Sequence, residues 1–328
     1  MKLETIKRWL AAIGIACTAV APALAQDNYP SQPVKLVVGF PPGGPTDIIG
    51  RVIAQSLGKE LKGSVIVDNR GGAGGIIGAE AVAKAKPDGY TLLVAVESSQ
   101  TRGQALNADT LPYNQLKDFT YVRNVAKQRN LVVVNPEVPI NNIKELIAYA
   151  KANPGKLNSG GTFGATSHIG GTLFDALNGT QLTFVNYKGG GQPISDLMAG
   201  IVQVGFFTEA TVAQQVKAGK IKALAVAAPE RSPAFPNLPT VEEAGGKPMD
   251  LSPWFGIAAP AGTPGAVTHK LAAALDKVVA SPEFLAQLET LGAVPVKNSS
   301  PEAYTQQVAR EIEFWNNWAK TLKTPLSR

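Results

Sequence analysis

Apolar runs of strand length recur along this chain, each followed by a glycine-rich turn and then by a segment whose apolar residues keep helical spacing. Val34–Phe40 (VKLVVGF) is the first run, and Pro41-Pro42-Gly43-Gly44 turns the chain after it. Ile48, Ile49, Val52, Ile53 and Leu57 then fall on one helical face ending near Leu61, with Thr46 or Asp47 placed to cap its start. Ser64–Asp68, a loop at Gly71–Gly75, a helix near Ile76–Ala85, a turn at Pro87-Asp88-Gly89 and a strand at Tyr90–Val96 repeat the pattern. A second set follows, with strands at Asn130–Asn135, Leu157–Gly161, Leu182–Tyr187, Val202–Phe207 and Ile221–Ala227. Helices at Ile143–Ala152, His168–Leu177, Pro193–Ala199 and Thr211–Ala218 separate them. Near-continuous apolar strands alternating with helices predict α/β architecture with mostly parallel sheets covered on both faces.

The end of the chain is different. After proline-rich loops (Ser232–Pro239) and a strand at Trp254–Ala259, it reads as helical, with hydroxyl-proline starts at Thr263-Pro264, Ser281-Pro282 and Ser300-Pro301. This block has no sheet of its own, so it is expected to pack back on the first one. The chain would then cross between two lobes twice, near Val122–Arg129 and near Ala225–Pro229. The expected division is 26–124 plus 228–328 for one lobe and 125–227 for the other, with a double-crossover hinge and a cleft suited to a small ligand.

Residues 1–25 predict export. Lys2, Lys7 and Arg8 precede an apolar stretch from Leu10 to Val20, and Ala23-Leu24-Ala25 is a small-x-small cleavage site. That is the pattern of a cleavable signal peptide, which would place the protein in the periplasm of a two-membrane cell. The single cysteine, Cys17, would leave with the leader, so neither a disulfide nor a thiolate ligand is expected in the mature chain. With 31 Lys+Arg against 25 Asp+Glu the net charge of +6 is small and dispersed, and no nucleic-acid partner is expected.

Catalytic patterns are missing from the sequence. It has two histidines, His168 and His269, far apart and without an HExxH spacing. There is no GxSxG elbow and no GxxxxGK[ST] loop. Gly72-Ala73-Gly74 begins like a dinucleotide fingerprint, but Ile77 stands where the third glycine belongs. No enzyme activity, metal or cofactor is expected.

Three strand-to-helix loops carry small polar residues instead. They are Phe40-Pro41-Pro42-Gly43-Gly44-Pro45-Thr46-Asp47, then Gly160-Gly161-Thr162-Phe163-Gly164-Ala165-Thr166-Ser167-His168, and the shorter Tyr187–Gln192. Glycines let main-chain N–H groups turn toward a ligand, and the helix start adds partial positive charge. The first two loops contain no Lys or Arg, so an anion there would be held by amides, hydroxyls and water. Each loop can equally be read as a tight turn, Asp47 as a helix cap, and His168 as a capping or hinge residue. Lys188 and Arg51 read as solvated or paired.

These residues resemble a known family. Pro33–Gly44 with Asp47, Asn69-Arg70-Gly71-Gly72-Ala73-Gly74-Gly75 and Lys86-Pro87-Asp88-Gly89-Tyr90-Thr91-Leu92-Leu93 are similar to the periplasmic receptors of tripartite tricarboxylate transporters, the Bug-type solute-binding proteins. So are Tyr149-Ala150-Lys151-Ala152-Asn153-Pro154-Gly155-Lys156, Tyr187-Lys188-Gly189, Leu238-Pro239-Thr240-Val241 and Ala259-Pro260-Ala261-Gly262-Thr263-Pro264. The resemblance covers essentially the whole mature chain. It implies a type II periplasmic-binding-protein fold that closes on a small organic acid, a dicarboxylate or an aromatic carboxylate among the options. It also implies a large and a small membrane component as partners. The protein itself is expected to be a monomer. The loop Phe40–Asp47, chiefly Phe40, Pro41, Gly43, Gly44, Pro45, Thr46 and Asp47, would hold a carboxylate through main-chain amides. Thr162, Phe163, Gly164, Ala165, Thr166, Ser167 and His168 would contribute from the other lobe, and Ser98, Tyr187 and Thr208 would line the remaining walls. A ligand sensor feeding a signalling system, or an exported enzyme, are the alternatives.

The chain departs from the family pattern at several places. Ala165 stands where Ser or Thr is common, and Phe163 where a small polar residue is common. Val202-Gln203-Val204-Gly205-Phe206-Phe207 replaces the pattern Val-Asp-x-x-Phe-Asp, so both acidic positions are lost. These changes point away from amino acids and toward a less polar carboxylate, with Phe163 or Phe207 either stacking on it or belonging to the core.

Overall fold

The computed structural model describes residues 29–103, 111–163, 165–187 and 191–321. The leader at 1–25, Gly164 and Lys188 lie outside the described residues. The first run of elements is β1 (Val34–Val38), α1 (Pro45–Leu61), β2 (Val65–Asn69), α2 (Ile76–Ala83), β3 (Thr91–Val96), the single turn α3 (Glu97–Gln100) and the long β4 (Phe119–Gln128). The second is β5 (Asn130–Val134), α4 (Ile143–Ala152), β6 (Asn158–Gly161), α5 (Thr166–Asn178), β7 (Thr183–Asn186), α6 (Gln192–Met198), β8 (Val204–Thr208), α7 (Glu209–Lys217) and β9 (Lys222–Val226). The chain ends with β10 (Trp254–Pro260), α8 (Gly265–Ala280), α9 (Pro282–Thr290), β11 (Ala293–Pro295) and α10 (Pro301–Thr321).

Among the described residues these strands form two sheets, ordered β11-β4-β10-β3-β1-β2 and β7-β6-β8-β5-β9. Each is mixed, not mostly parallel. β1 runs parallel to β2 and β3, and β6 parallel to β7 and β8. β10 is antiparallel to both β3 and β4, and β5 to both β8 and β9. The reason lies in the crossings. A strand that enters a sheet from the hinge starts at the cleft and must run outward, against neighbours whose C-terminal ends face the cleft. β5 and β10 are those strands.

Each sheet has its own core. Leu36, Val38, Leu92 and Val94 bury under Ile49, Ile53 and Leu57 of α1, whose four-residue spacing puts them on one face. In the other lobe Val132, Val134, Val204 and Phe206 bury with Leu146, Leu173 and Phe174. Gly170 lets α5 lie close to its sheet, since a Cβ there would come within 2.6 Å of the Phe206 side chain.

Three boundaries differ from the sequence reading. Val125 and Ala126, assigned to the second lobe, bury in the first core, and β4 stays in the first sheet as far as Gln128, so the outgoing crossing lies at Arg129. Val241, Met249 and Leu251, assigned to the first lobe, are buried in the second lobe's core. Their backbone is tied there by Val226 N–H to Pro239 O, Val241 N–H to Val226 O and Leu251 N–H to Ala227 O, at 2.8–3.0 Å. The return crossing therefore falls between Leu251 and Trp254. It runs beside the outgoing one, since Gln128 N–H donates to Pro253 O at 2.8 Å and Asn130 Nδ2 to Leu251 O at 2.6 Å. The third difference is α10. Tyr304 and Val308 bury against the first sheet, whereas Trp315 and Trp318 bury in the second core. A helix of 21 residues spans about 30 Å, so it bridges both lobes.

Candidate ligand-binding cleft between the lobes

The first wall is set by the loop after β1. Gly43 has φ +83°, and its N–H donates to Asp47 Oδ2 at 2.8 Å. Asp47 Oδ1 accepts from Asn69 Nδ2 at 2.8 Å, and Asn69 Nδ2 also donates to Phe40 O at 3.0 Å. Arg51 Nε, one helical turn on, donates to Asp47 Oδ2 at 3.0 Å. Asp47 is thus a buried staple that ties the loop to β2. The Arg51 hydrogen bond, with those from Gly43 and Asn69, holds its carboxyl down at about 2. It does not cap α1, and neither does Thr46. Gly44 occupies the cap position and Pro45 the first helical position, where its fixed φ suits the helix and its missing N–H costs nothing.

A second glycine-rich loop supports the first. A Cβ on Gly39 would meet Gly75 Cα at 2.8 Å, and one on Gly78 would meet Gly39 Cα at 2.7 Å, so the two loops pack backbone on backbone. Ser98 Oγ closes the arrangement by donating to Gly74 O at 2.8 Å. The sequence Asn69–Gly75 therefore serves as a platform, which accounts for its glycines without any dinucleotide.

The opposite wall begins where β6 passes into α5. Thr162 N–H donates to Ser167 Oγ at 3.1 Å, and Phe163 N–H to Asn186 Oδ1 at 3.0 Å. His168 is buried and sits between two rings, with Phe163 stacked at 4.8 Å and Phe184 tilted at 4.2 Å between centroids. Burial pushes its pKa down, so the imidazole is neutral at pH 7.

Between the walls lies a cavity of about 530 Å³. Phe40, Pro45, Thr46 and Ser98 line it from the first lobe; Phe163, Ala165, Thr166, His168 and Thr208 line it from the second. Other expected site residues do not line it. Pro41, Gly43, Gly44 and Asp47 shape the first loop, while Thr162 and Ser167 fix the second. Tyr187 is packed in the second lobe's core, its hydroxyl donating to Asp196 Oδ2 at 2.6 Å; burial and that bond push its pKa to about 12. Phe207 is a core residue too, 7% exposed. The aromatic surface of the cleft comes from Phe163, Phe40 and Phe255.

The structure also adds residues that sequence reasoning missed. Ile76, Val96 and Phe255 supply apolar wall, and Gln128 and Pro253 reach in from the two crossings. Glu97 and Arg102 line the cleft as an ion pair, Arg102 to Glu97 Oε1 at 2.5 Å. They follow β3, and a strand's C-terminal end in an α/β lobe is the one available signal.

Two separately cored α/β lobes, joined by adjacent extended crossings and enclosing a cavity between strand-end loops, define a two-lobed ligand-capturing protein. Comparison with known proteins gives the family. Residues 49–323 match the model of the tripartite tricarboxylate transporter family receptor. BugT of Bordetella pertussis is 34% identical over 94% of this chain and 95% of its own. An R. palustris protein solved with adipate is 33% identical, with a TM-score of 0.76 over 89% of this chain and 98% of that one. MatC from Rhodopseudomonas palustris, solved with bound malate, is 31% identical, with a TM-score of 0.74 over 89% and 100%. The chain belongs to the tripartite tricarboxylate transporter receptor family, the Bug-type solute-binding proteins. Its fold is the type II periplasmic-binding-protein fold.

Proposed function

We propose that the chain is a periplasmic receptor that captures a small organic acid in the interlobe cleft and delivers it to the membrane components of a tripartite tricarboxylate-type secondary transporter. The observation that carries this reading is the loop Phe40–Asp47. Buried Asp47 fixes its backbone by accepting from Gly43 N–H, with Thr46 and Pro45 at a helix start facing the cavity. Main-chain donors held in place before the ligand arrives recognise a carboxylate without a reorganisation cost. Relatives solved with adipate and malate support an acid as ligand. The apolar walls of Phe40, Ile76, Val96, Phe163 and Phe255 favour an acid with an apolar middle, aliphatic or aromatic, over a hydroxylated one such as citrate. Among the described residues no helix is long and apolar enough to cross a membrane, and residues 1–25 act as the cleaved export signal. The receptor works as a single copy.

Native mass spectrometry of freshly purified protein, followed by calorimetry with adipate, terephthalate, benzoate, citrate and glutamate, tests this. A retained acid, and tighter binding of adipate or an aromatic acid than of citrate or glutamate, is expected. Binding of glutamate with none of the apolar acids would overturn the ligand class. A recovered ligand chemically changed by the protein would overturn the receptor role.

A further inference from the structure

Glu311 stands on α10 where the helix passes from one lobe to the other. Tyr304 and Val308 before it bury in the first lobe, and Trp315 and Trp318 after it in the second. The residue is half-buried, with its carboxyl enclosed by neighbours. Oε2 accepts from the indole N–H of Trp254 at 2.9 Å, and Oε1 from Gln307 Nε2 at 2.8 Å. Trp254 opens β10 directly after the return crossing, and its main-chain N–H donates weakly to Glu97 Oε2 at 3.4 Å. Arg102 NH2 donates to Glu97 Oε1 at 2.5 Å, and the guanidinium lies 5.6 Å from the centre of the Trp315 ring. The hinge, the strap and the segment after β3 thus meet in one cluster. Among the described residues Arg102 pairs with Glu97 there, and Glu311 has no cation within ion-pair distance.

Burial holds the Glu311 carboxyl above the ordinary carboxylate range. The Gln307 and Trp254 donors pull it back in part, and the Glu97 charge pushes it up again. Tyr304 on α10 and Tyr121 on β4 also face it, and burial keeps both phenols neutral at ordinary pH. Lys127, Arg310, Glu242 and Asp250 line the same groove. We infer that Glu311 is a proton-operated latch: with a proton on its carboxyl, α10 docks on both lobes and stiffens the hinge, and its ionisation near Glu97 releases the second lobe's half of the strap. That half is the one freed because it ends the helix, whereas the other end is held by the Ser300 cap on Ala303 N–H. The sign follows from linkage. A carboxyl that titrates higher when docked than when freed favours docking most at low pH, and the preference fades as pH rises through its docked value. The lobes then remain joined by the two crossings and separate more freely.

Two measurements on the mature protein between pH 4.5 and 8.5 test this: carboxyl-¹³C NMR of Glu311, and amide exchange at Trp315 and Trp318 corrected for the intrinsic effect of pH. Corrected exchange should rise at least about fivefold as Glu311 ionises, with the same midpoint. Glu311→Gln should hold exchange at its low-pH level across the range. Trp254→Phe removes a donor that favours the ionised form and should move the midpoint up. Glu97→Gln removes a neighbouring negative charge and should move it down. Opposite displacements are what a merely structural hydrogen bond would not produce, and they decide the matter even if Glu311→Gln fails to fold. Spin-label distances between Lys86→Cys and Lys151→Cys should broaden as pH rises in the wild-type background. Exchange that ignores pH in the wild type, a pH dependence kept by Glu311→Gln, midpoints displaced the same way by Trp254→Phe and Glu97→Gln, or spin-label distances that ignore pH would overturn the latch.

Discussion

Asp47 shows how one residue serves the site without touching the cavity. The pattern of a small polar residue before a helix suggested a cap, but Pro45 takes the first helical position and moves the cap to Gly44. Asp47 then points back to the loop and accepts three hydrogen bonds. Asp47→Ala should cost about 2 kcal/mol in urea unfolding and weaken acid binding in parallel, because the loop amides lose their brace. Unchanged affinity would remove Asp47 from the binding machinery. The carboxyl titrates near 2 in the folded chain, below its unfolded value. Its contribution is therefore complete above about pH 4 and is lost as pH falls toward 2. His168 acts in a separate window. Burial lowers its pKa, so its neutral form stabilises the fold fully above about pH 6.5, and that stability declines as pH drops below this value. Thermal melts from pH 7.5 to 5 should show the decline, and His168→Phe should flatten it. An unaltered profile in that variant would assign the decline to other groups. At this scale Thr46 and the α5 start were legible because loop chemistry marks them, whereas Thr208 came only through the family resemblance. Arg102 and Glu97 were not, since Glu-Ser-Ser-Gln-Thr-Arg carries no motif and only the path of β3 brings them to the cleft.

At the scale of elements, glycine placement did most to disclose the site. Gly39 and Gly78 let the backbone after β1 meet that of Gly75 and α2, and no flexible side chain can yield at those two contacts. Gly78→Ala should destabilise by about 1–3 kcal/mol and weaken binding of any acid ligand, because its Cβ would displace the loop after β1. Gly74 has open space for a Cβ, but its φ of +67° strains any replacement. A Gly74→Asn variant, tolerant of that region, should cost less than Gly78→Ala; the reverse order in urea melts would contradict the backbone-contact explanation. Helix starts were legible where a hydroxyl directly precedes proline. Ser281 accepts from Phe284 N–H and Ser300 from Ala303 N–H, at 3.3 and 3.1 Å. Thr263 fails the same pattern because its hydroxyl donates to Pro260 O at 2.7 Å, which leaves Pro264 at the cap.

For the whole molecule, alternation of strands and helices disclosed two lobes, but their bounds depend on contacts between residues distant in sequence. Residues 228–251 have no strand pairing strong enough to announce a sheet. They join the second core through Val241, Met249 and Leu251. α10 reads as one amphipathic helix, yet its two ends serve different cores, so the lobes share a strap besides the two crossings. Trp315→Ala should cost about 3–5 kcal/mol and speed amide exchange at Phe174 and Val204, far from it in sequence. Protection lost only around Tyr304 and Val308 would contradict the strap. Lobe closure around an acid is the property on which the proposed function depends. An amide-resolved NMR titration of the mature protein with adipate, terephthalate or whichever acid calorimetry selects tests it most directly. Amides of Gly43, Gly44 and Thr46 should shift with those of Phe163, Thr166 and His168 along a single binding curve. Shifts confined to one lobe, or saturable binding that moves neither set, would contradict capture between the two.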